Sequence, residues 1–180
     1  MKRSTSLLAA CVLAVAAISP ASAADISAPP QALSLTSGSA GFFGDSFGID
    51  NNGNTFADRF TFTVGDYSFD VDAIVASISR TTTTGLDISA FNLYSAANDL
   101  VASGFPLASG ALDVWQLSGD AIAPGSYYLQ VDGTVVSDGA ASYGGAVLLT
   151  PVPEPAMLGM LAGGLGLLGV AARRRARKLA

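Results

Sequence analysis

The central part of the chain alternates between apolar and polar residues with a period of two, which is the side-chain period of a β-strand. The clearest runs cover residues 56–64, 69–79, 86–94, 112–117, 127–132 and 146–150, with weaker ones at 32–35 and 100–102. Clusters of Gly, Asn, Asp and Ser separate these runs, and the segments between them have no helical period. Six to eight short strands at regular spacing predict an all-β fold, a jelly-roll-like β-sandwich over residues 24–150.

The N-terminal end has a different pattern, that of a secretory signal peptide. Lys2 and Arg3 precede an apolar stretch at 7–18, and Ala21-Ser22-Ala23 follows as a small-x-small cleavage site. We therefore expect residues 1–23 to be removed after Ala23, with Ala21 and Ala23 at the signal peptidase site and the general secretion machinery as a partner. Leu8-Ala9-Ala10-Cys11 also matches a lipoprotein cleavage box, but the apolar run continues beyond Cys11, which favours the ordinary signal peptide.

The C-terminal end contains an uncharged apolar run at residues 156–172. Its length is at the lower limit for crossing a hydrocarbon core of about 30 Å, so it predicts a transmembrane helix. A basic cluster follows it: Arg173, Arg174, Arg175, Arg177 and Lys178. The positive-inside rule predicts that this cluster stays cytoplasmic and that the body lies on the other side of the membrane. Gly159 and Gly163 have the spacing of close helix packing, which leaves self-association of the span as an alternative to a plain anchor.

Charge distinguishes the body from both ends. Residues 24–151 contain thirteen Asp, no Glu and two basic residues, Arg59 and Arg80, so this part carries a net charge of −11. It also contains every aromatic residue of the chain, nine Phe, five Tyr and Trp115. Nucleic-acid affinity depends on Lys and Arg contacts to phosphate, so this acidic body excludes nucleic acid as a partner.

The composition also restricts catalysis. The chain has no His, and its single Cys, Cys11, lies in the apolar run of the signal peptide. Ser-His-Asp and Cys-His nucleophile systems, His-ligated zinc and disulfides in the body are therefore excluded. We predict that the protein is not an enzyme. Two alternatives stay open. The first is a carbohydrate-binding module that uses Trp115 and exposed Tyr residues, although Trp and Tyr are more often core residues. The second is a secreted hydrolase that uses a pair of Asp.

The run at 56–64 contains a carboxylate on its apolar side. In a strand, Phe56, Asp58, Phe60, Phe62 and Val64 share one face, and Arg59, Thr61 and Thr63 share the other. Burying an unpaired charge is costly, so Asp58 needs a partner. The candidates are backbone N–H groups of the polar loop at 50–55, Arg80, or a cation.

The same loop raises the question of calcium. Asp50, Asn52, Asn54 and Asp58 occupy positions 1, 3, 5 and 9 of an EF-hand-like spacing. Thr55 stands where that loop requires Gly, and Thr61 stands where it requires a bidentate Glu. Ordinary turn chemistry explains the cluster better, so we predict no cofactor and keep these residues only as weak calcium candidates.

The tail has three parts in a fixed order: the motif Pro153-Glu154-Pro155, the apolar span and the basic cluster. This order over residues 151–180 resembles the PEP-CTERM sorting signal of Gram-negative bacteria. The resemblance implies that an exosortase, an integral-membrane cysteine transpeptidase, recognises the tail. It further implies a cut near residues 153–156 and transfer from the inner membrane to the cell surface or extracellular matrix. A Pro-rich hinge before an ordinary anchor is the alternative.

Two weaker resemblances concern the body. Phe56-Ala57-Asp58-Arg59-Phe60 resembles the motif of the FxDxF family of PEP-CTERM proteins, for which Phe56, Asp58 and Phe60 are the motif residues. Segments 91–100 and 117–131 resemble the pre-peptidase C-terminal type of β-sandwich. Neither resemblance implies an activity, whereas the sorting signal implies a setting in exopolysaccharide or biofilm. We therefore expect an exported, non-enzymatic surface protein, with exopolysaccharide as a candidate partner.

Overall fold

A computed structural model describes residues 23–35, 40–79, 81, 83–152 and 155–176. Most of the predicted signal peptide lies outside these ranges, including Ala21, as do Arg80, Pro153, Glu154, Arg177 and Lys178. The signal peptide and its cleavage site therefore stay predictions.

Within the described ranges the chain forms ten strands and one helix. The strands are β1 (Gln31–Ala32), β2 (Ala40–Phe47), β3 (Thr55–Val64), β4 (Phe69–Ile78), β5 (Leu86–Ser95), β6 (Leu100–Ser103), β7 (Phe105–Ala108), β8 (Leu112–Ile122), β9 (Gly125–Val135) and β10 (Ala141–Pro151). The helix α1 covers Pro155–Ala176. The predicted all-β body is confirmed, but the predicted number of six to eight strands is wrong because β2 and β7 were missed.

The strands form two five-stranded sheets. The first sheet has the order β1-β3-β9-β5-β6, and the second has the order β2-β10-β4-β8-β7. Among the described strands, β1 and β3 pair in parallel and the other neighbours pair antiparallel. The two sheets enclose one hydrophobic core, whose buried residues run from Phe43 to Leu149. All of these residues lie within 24–152, so this segment contains the complete described core.

Aromatic side chains from both sheets meet at the centre of this core. The ring centroids of Phe43 on β2 and Phe60 on β3 are 4.8 Å apart, and those of Phe47 and Phe56 are 4.7 Å apart. Tyr143 on β10 stacks on Phe56 at 5.5 Å. Burial of each such side chain contributes about 1.5–3 kcal/mol, so these rings are a main source of cohesion between the sheets.

Candidate functional site

The FxDxF motif lies on β3 with the predicted division of faces. Its alternating residues Phe56, Asp58, Phe60, Phe62 and Val64 are all buried. The intervening Arg59 and Thr63 are exposed on the outer face of the first sheet. Asp58 is therefore a carboxylate in the core, with only 1% of its surface exposed.

The partners of Asp58 come from two distant parts of the chain. Its Oδ1 accepts a hydrogen bond from the backbone N–H of Ala28 at 2.7 Å, and its Oδ2 accepts one from the Tyr143 hydroxyl at 2.5 Å. Ala28 belongs to the segment 24–35, which runs along β3, while Tyr143 lies on β10 of the second sheet. Asp58 thus joins the first sheet, the second sheet and the N-terminal segment.

The predicted partners of Asp58 in the loop at 50–55 were wrong. The N–H of Gly53 donates to the Val135 carbonyl at 2.8 Å, and the N–H of Asn54 donates to the Asn51 carbonyl at 3.0 Å. The other predicted side-chain partner, Arg80, lies outside the described residues. The true partners lie 30 and 85 residues from Asp58 along the chain, so no local pattern could identify them.

Buried carboxyls in the body have raised pKa values. Burial raises the pKa of Asp58, against the hydrogen bonds from Tyr143 and Ala28 that lower it. Burial also raises the pKa of Asp113, whose Oδ1 accepts from the Gly110 N–H while its buried Oδ2 has no partner among the described residues. The pKa of Asp132 is raised by burial as well. Hydrogen bonds from Ser27 lower the pKa of Asp25, which is fully exposed.

The pKa of the Tyr143 phenol is raised well above its usual range, mainly by burial and then by its hydrogen bond to Asp58. Tyr143 therefore keeps its proton at neutral pH. This proton is the one that it donates to Asp58.

We expect the body to become less stable as the pH rises above about 3.9, the usual pKa of an Asp carboxyl in an unfolded chain. Carboxyls whose pKa is raised by folding bind more protons in the folded state than in the unfolded state. Their stabilisation is complete below the unfolded value of about 3.9 and is lost as the pH rises through the folded values. Urea unfolding of residues 24–152 at several pH values measures this slope. Asp113→Asn should flatten it and the exposed Asp120→Asn should not; a stability that rises with pH in this window contradicts the expectation.

The weak calcium candidates are not gathered into one ligand set. Asn54 Oδ1 accepts a hydrogen bond from the Ala24 N–H at 3.0 Å, and its Nδ2 donates to Asn51 Oδ1 at 3.1 Å. Asp58 is buried and bound as described, whereas Asp50 and Asn52 are exposed. Within the described residues no three acidic, His or Cys side chains form a possible metal site. The loop instead holds the start of the N-terminal segment.

Trp115 is part of the core packing. Its ring packs against the core cluster, and its indole N–H donates to the Ile88 carbonyl at 3.1 Å. Tyr128 is also buried; its ring stacks on Tyr94 at 5.2 Å, and the Arg59 guanidinium lies 5.0 Å from its centroid. These contacts do not favour carbohydrate binding through Trp115, so that interpretation stays an untested prediction.

A groove of about 600 Å³ lies beside Tyr128 on the outer face of the first sheet. Its walls come from the N-terminal segment, including Leu33 and Leu35, and from the β9 side, including Tyr127. Asn98, another lining residue, accepts a hydrogen bond from the Tyr128 hydroxyl at 2.9 Å. Some of the polar groups that line this groove are therefore already hydrogen-bonded to each other.

The tail begins where the body ends. β10 ends at Pro151, and the Val152 N–H donates to the Ser68 carbonyl at 3.0 Å. α1 begins at Pro155, a residue type that suits the first position of a helix. Large apolar side chains of α1 are 61–76% exposed: Met160, Leu161, Leu165, Leu167 and Leu168. In the described part of the chain, no helix is long and apolar enough to be assigned as a membrane span.

Comparison with known proteins assigns the tail. Residues 151–175 match the family model of the PEP-CTERM protein-sorting motif, which includes Pro153, Glu154 and Pro155 and extends through Arg173 to Arg175. The resemblance seen in the tail is therefore confirmed. No curated protein matches the chain.

One solved structure that aligns with the body is the pre-peptidase C-terminal domain of a collagenase from Bacillus anthracis. The two chains are 20% identical, and the alignment covers 67% of this chain and 97% of the collagenase domain with a TM-score of 0.38. A score this low does not establish a common fold, so the assignment of two packed sheets rests on the strand pairing described above.

Proposed function

We propose, from the sorting motif at 151–175, that this protein is exported and is passed to the cell surface by an exosortase that recognises its tail. The match to the PEP-CTERM protein-sorting motif is the observation that carries this proposal. The mature body, beginning at Ala24, lies outside the inner membrane. The basic residues from Arg173 onward lie on the cytoplasmic side until the tail is cut.

The position of the motif supports such processing. Val152 is the last residue before the motif, and its N–H is bonded to the body. α1 begins at Pro155, so the motif lies at the junction of the body and the helix. Pro153 and Pro155 have no backbone N–H to donate and restrict the backbone to extended forms on their N-terminal sides. A peptidase that cuts near 153–156 therefore separates the body from the helix without breaking a strand.

The exposed helix supports a membrane location before the cut. Residues 156–172 contain no charge, and the large apolar side chains described between Met160 and Leu168 are mostly exposed. Removing such a side chain from water is favourable by about 1.5–3 kcal/mol, which an apolar environment around α1 provides. We therefore propose that the protein is first a single-pass membrane protein with a cytoplasmic C-terminus. Cleavage of the tail then releases the body.

We propose a non-catalytic role for the body in the extracellular matrix, with exopolysaccharide as its setting. The chain has no His, and its only Cys lies in the predicted signal peptide. The buried Asp58 is bonded on both oxygens to groups of the fold itself. A net charge of −11 on residues 24–151 keeps the released body soluble.

Replacement of Pro153, Glu154 and Pro155 by Ala tests the sorting proposal. We expect the variant to accumulate as uncleaved precursor in the inner membrane, because the apolar span and the Arg cluster survive while the recognition motif is lost. The wild type should yield a mature form without α1. Mass spectrometry of the C-terminal peptide, in strains with and without an exosortase, measures the outcome.

The matched control changes two prolines in the body, Pro29 and Pro30, to Ala, and this variant should be processed normally. The same full-length species, ending at Ala180, in both strains contradicts exosortase processing. That result leaves the Pro-rich hinge and plain anchor as the function of the tail.

A further inference from the structure

The outer faces of the two sheets differ in chemistry. On the first sheet, Arg59, Gln130, Asn92 and Ser103 lie side by side across four strands. Arg59 Nε donates to Gln130 Oε1 at 3.0 Å, and Gln130 Nε2 donates to Asp132 Oδ1 at 2.8 Å. This face has hydrogen-bonded polar side chains, as expected for a surface in contact with water.

The corresponding row on the second sheet is almost entirely apolar. It crosses all five strands and consists of Phe42, Ala146, Ile74, Gln116 and Phe105. Phe42 is 78% exposed, and Ile74 and Phe105 are also exposed. An exposed apolar row that crosses a whole sheet is unusual for a domain that stays in water alone.

The next rows on this side of the second sheet consist of apolar or small residues as well. Gly44, Gly144, Ala76 and Val114 form the adjacent row, and Ile78 pairs with Leu112 beyond it. The small residues of this adjacent row, Gly44, Gly144 and Ala76, have shorter side chains than Phe42 and Phe105 in the first row. We call this surface, from Phe42 to Phe105 and from Ile74 to Ile78, the apolar outer face.

Among the described residues of β4, the charged ones on this side of the sheet lie at one end of the face. Asp70 and Asp72 lie on β4 before Ile74, and both are hydrogen-bonded locally, to the Ala121 N–H and to the Ser118 hydroxyl. The rows that form the apolar outer face contain no charged residue. The body as a whole carries a net charge of −11 between residues 24 and 151, so this face is an exception within an acidic surface.

The face is large enough for a specific interface. Five strands about 4.8 Å apart give a width of about 24 Å, and the uncharged rows cover about 20 Å along the strands. The product is roughly 500 Å² on each copy and roughly 1,000 Å² for a pair, which is the lower limit for a specific contact.

We propose that the apolar outer face binds the same face of a second copy, so that the body forms a face-to-face homodimer. Two acidic bodies repel each other, and this is a face on which they can meet without bringing carboxylates together. In a two-fold arrangement with antiparallel β4 strands, the Asp70 and Asp72 ends of the two copies lie at opposite ends of the interface. Phe42 of each copy then packs on the β2 and β10 side of the other, near the small residues Gly44 and Gly144.

Sedimentation velocity of residues 24–152 over a range of concentrations tests the proposal, and we expect a reversible dimer. Ile74→Lys puts a charge on β4, the central strand of the face, and should raise the dissociation constant at least ~100-fold, as expected for a residue at the centre of an interface. Thr63→Lys makes the same change in charge on the outer face of the first sheet and should leave dimerisation unchanged. Fluorescence of Trp115 reports whether each variant folds.

A second measurement does not depend on a disruptive variant. The mature body has no Cys, so Ala76→Cys introduces a single thiol on the central strand, close to the proposed two-fold axis. Oxidation should link this variant into a covalent dimer and should leave Thr63→Cys monomeric. A wild-type body that is monomeric at all concentrations, or equal cross-linking of the two Cys variants, overturns the proposal.

The helix α1 of the same chain is the competing occupant. In residues 24–180 carrying both Ala76→Cys and Leu165→Cys, an intramolecular disulfide in place of the intermolecular one shows that α1 covers the face. That result overturns the homodimer and leaves the sorting proposal intact, because processing of the tail is measured separately.

Discussion

Asp58→Ala is expected to lower the free energy of unfolding of the body by about 2–4 kcal/mol. The change leaves the Ala28 N–H and the Tyr143 hydroxyl without an acceptor in the core, and each buried unsatisfied group costs about 1–3 kcal/mol. Removal of a carboxylate that is itself costly to bury offsets part of this loss. Urea unfolding of residues 24–152 at neutral pH measures the difference.

Asp58→Asn is the matched control for the shape of the side chain. Its amide oxygen can accept from Ala28, and its amide nitrogen can donate to the Tyr143 oxygen. Only the Tyr143 proton then lacks an acceptor, so we expect a loss of about 1 kcal/mol. Asp58→Ala should also make the N-terminal segment, residues 24–35, more sensitive to limited proteolysis than Asp58→Asn does. If the two variants are equally stable and equally resistant, the proposed role of Asp58 in holding this segment is wrong.

Phe60→Ala should have the largest effect on stability of the substitutions considered, a loss of about 3–5 kcal/mol. Phe60 is completely buried on β3, and its ring lies 4.8 Å from Phe43 and 6.4 Å from Tyr143 on the second sheet. Its removal opens a cavity between the sheets. For a body of this size the melting temperature should fall by roughly 10–20 °C, as measured by calorimetry.

Thr63→Ala, on the outer face of the same strand, is the control for Phe60→Ala. This exposed position should change stability by less than about 0.5 kcal/mol. A comparable loss in both variants contradicts the assignment of β3 faces, since only one of the two residues contributes to the core.

Strands with strict alternation were predictable from the sequence. The predicted runs at 56–64 and 69–79 match β3 and β4 to within one residue at each end. In these strands every second residue is buried in the core, so the burial that stabilises the strand is also visible as a period of two.

The missed and shortened strands have identifiable causes. β7 contains Pro106 and lies at the edge of the second sheet, where a proline is tolerated. β10 was predicted only from residue 146 because Gly144 and Gly145 interrupt the pattern. A Cβ at Gly145 would lie 2.4 Å from the Phe43 ring and 2.5 Å from the Ile74 carbonyl oxygen. The close packing that requires glycine thus removes the sequence signal of the strand.

The sorting motif and the hydrogen bonds of Asp58 differ in how far the sequence predicts them. The sorting motif is linear, and its parts follow one another within residues 151–175, so the order of residue types is enough to recognise it. Burial of Asp58 was also predictable from alternation. Its partners were not, because Ala28 and Tyr143 reach it through the pairing of β1 with β3 and the packing of one sheet on the other.

The position of β10 has a consequence for the order in which the protein can fold during export. β10 is the last strand of the body along the chain, yet it lies between β2 and β4 inside the second sheet. A chain that leaves a secretion channel from its N-terminus delivers β2 and β4 long before the strand that joins them. The second sheet therefore stays open, and Asp58 lacks Tyr143, until residues 141–151 have emerged. The body therefore completes its fold only when the sorting tail is the next segment in the channel, so the end of folding coincides with the arrival of the tail.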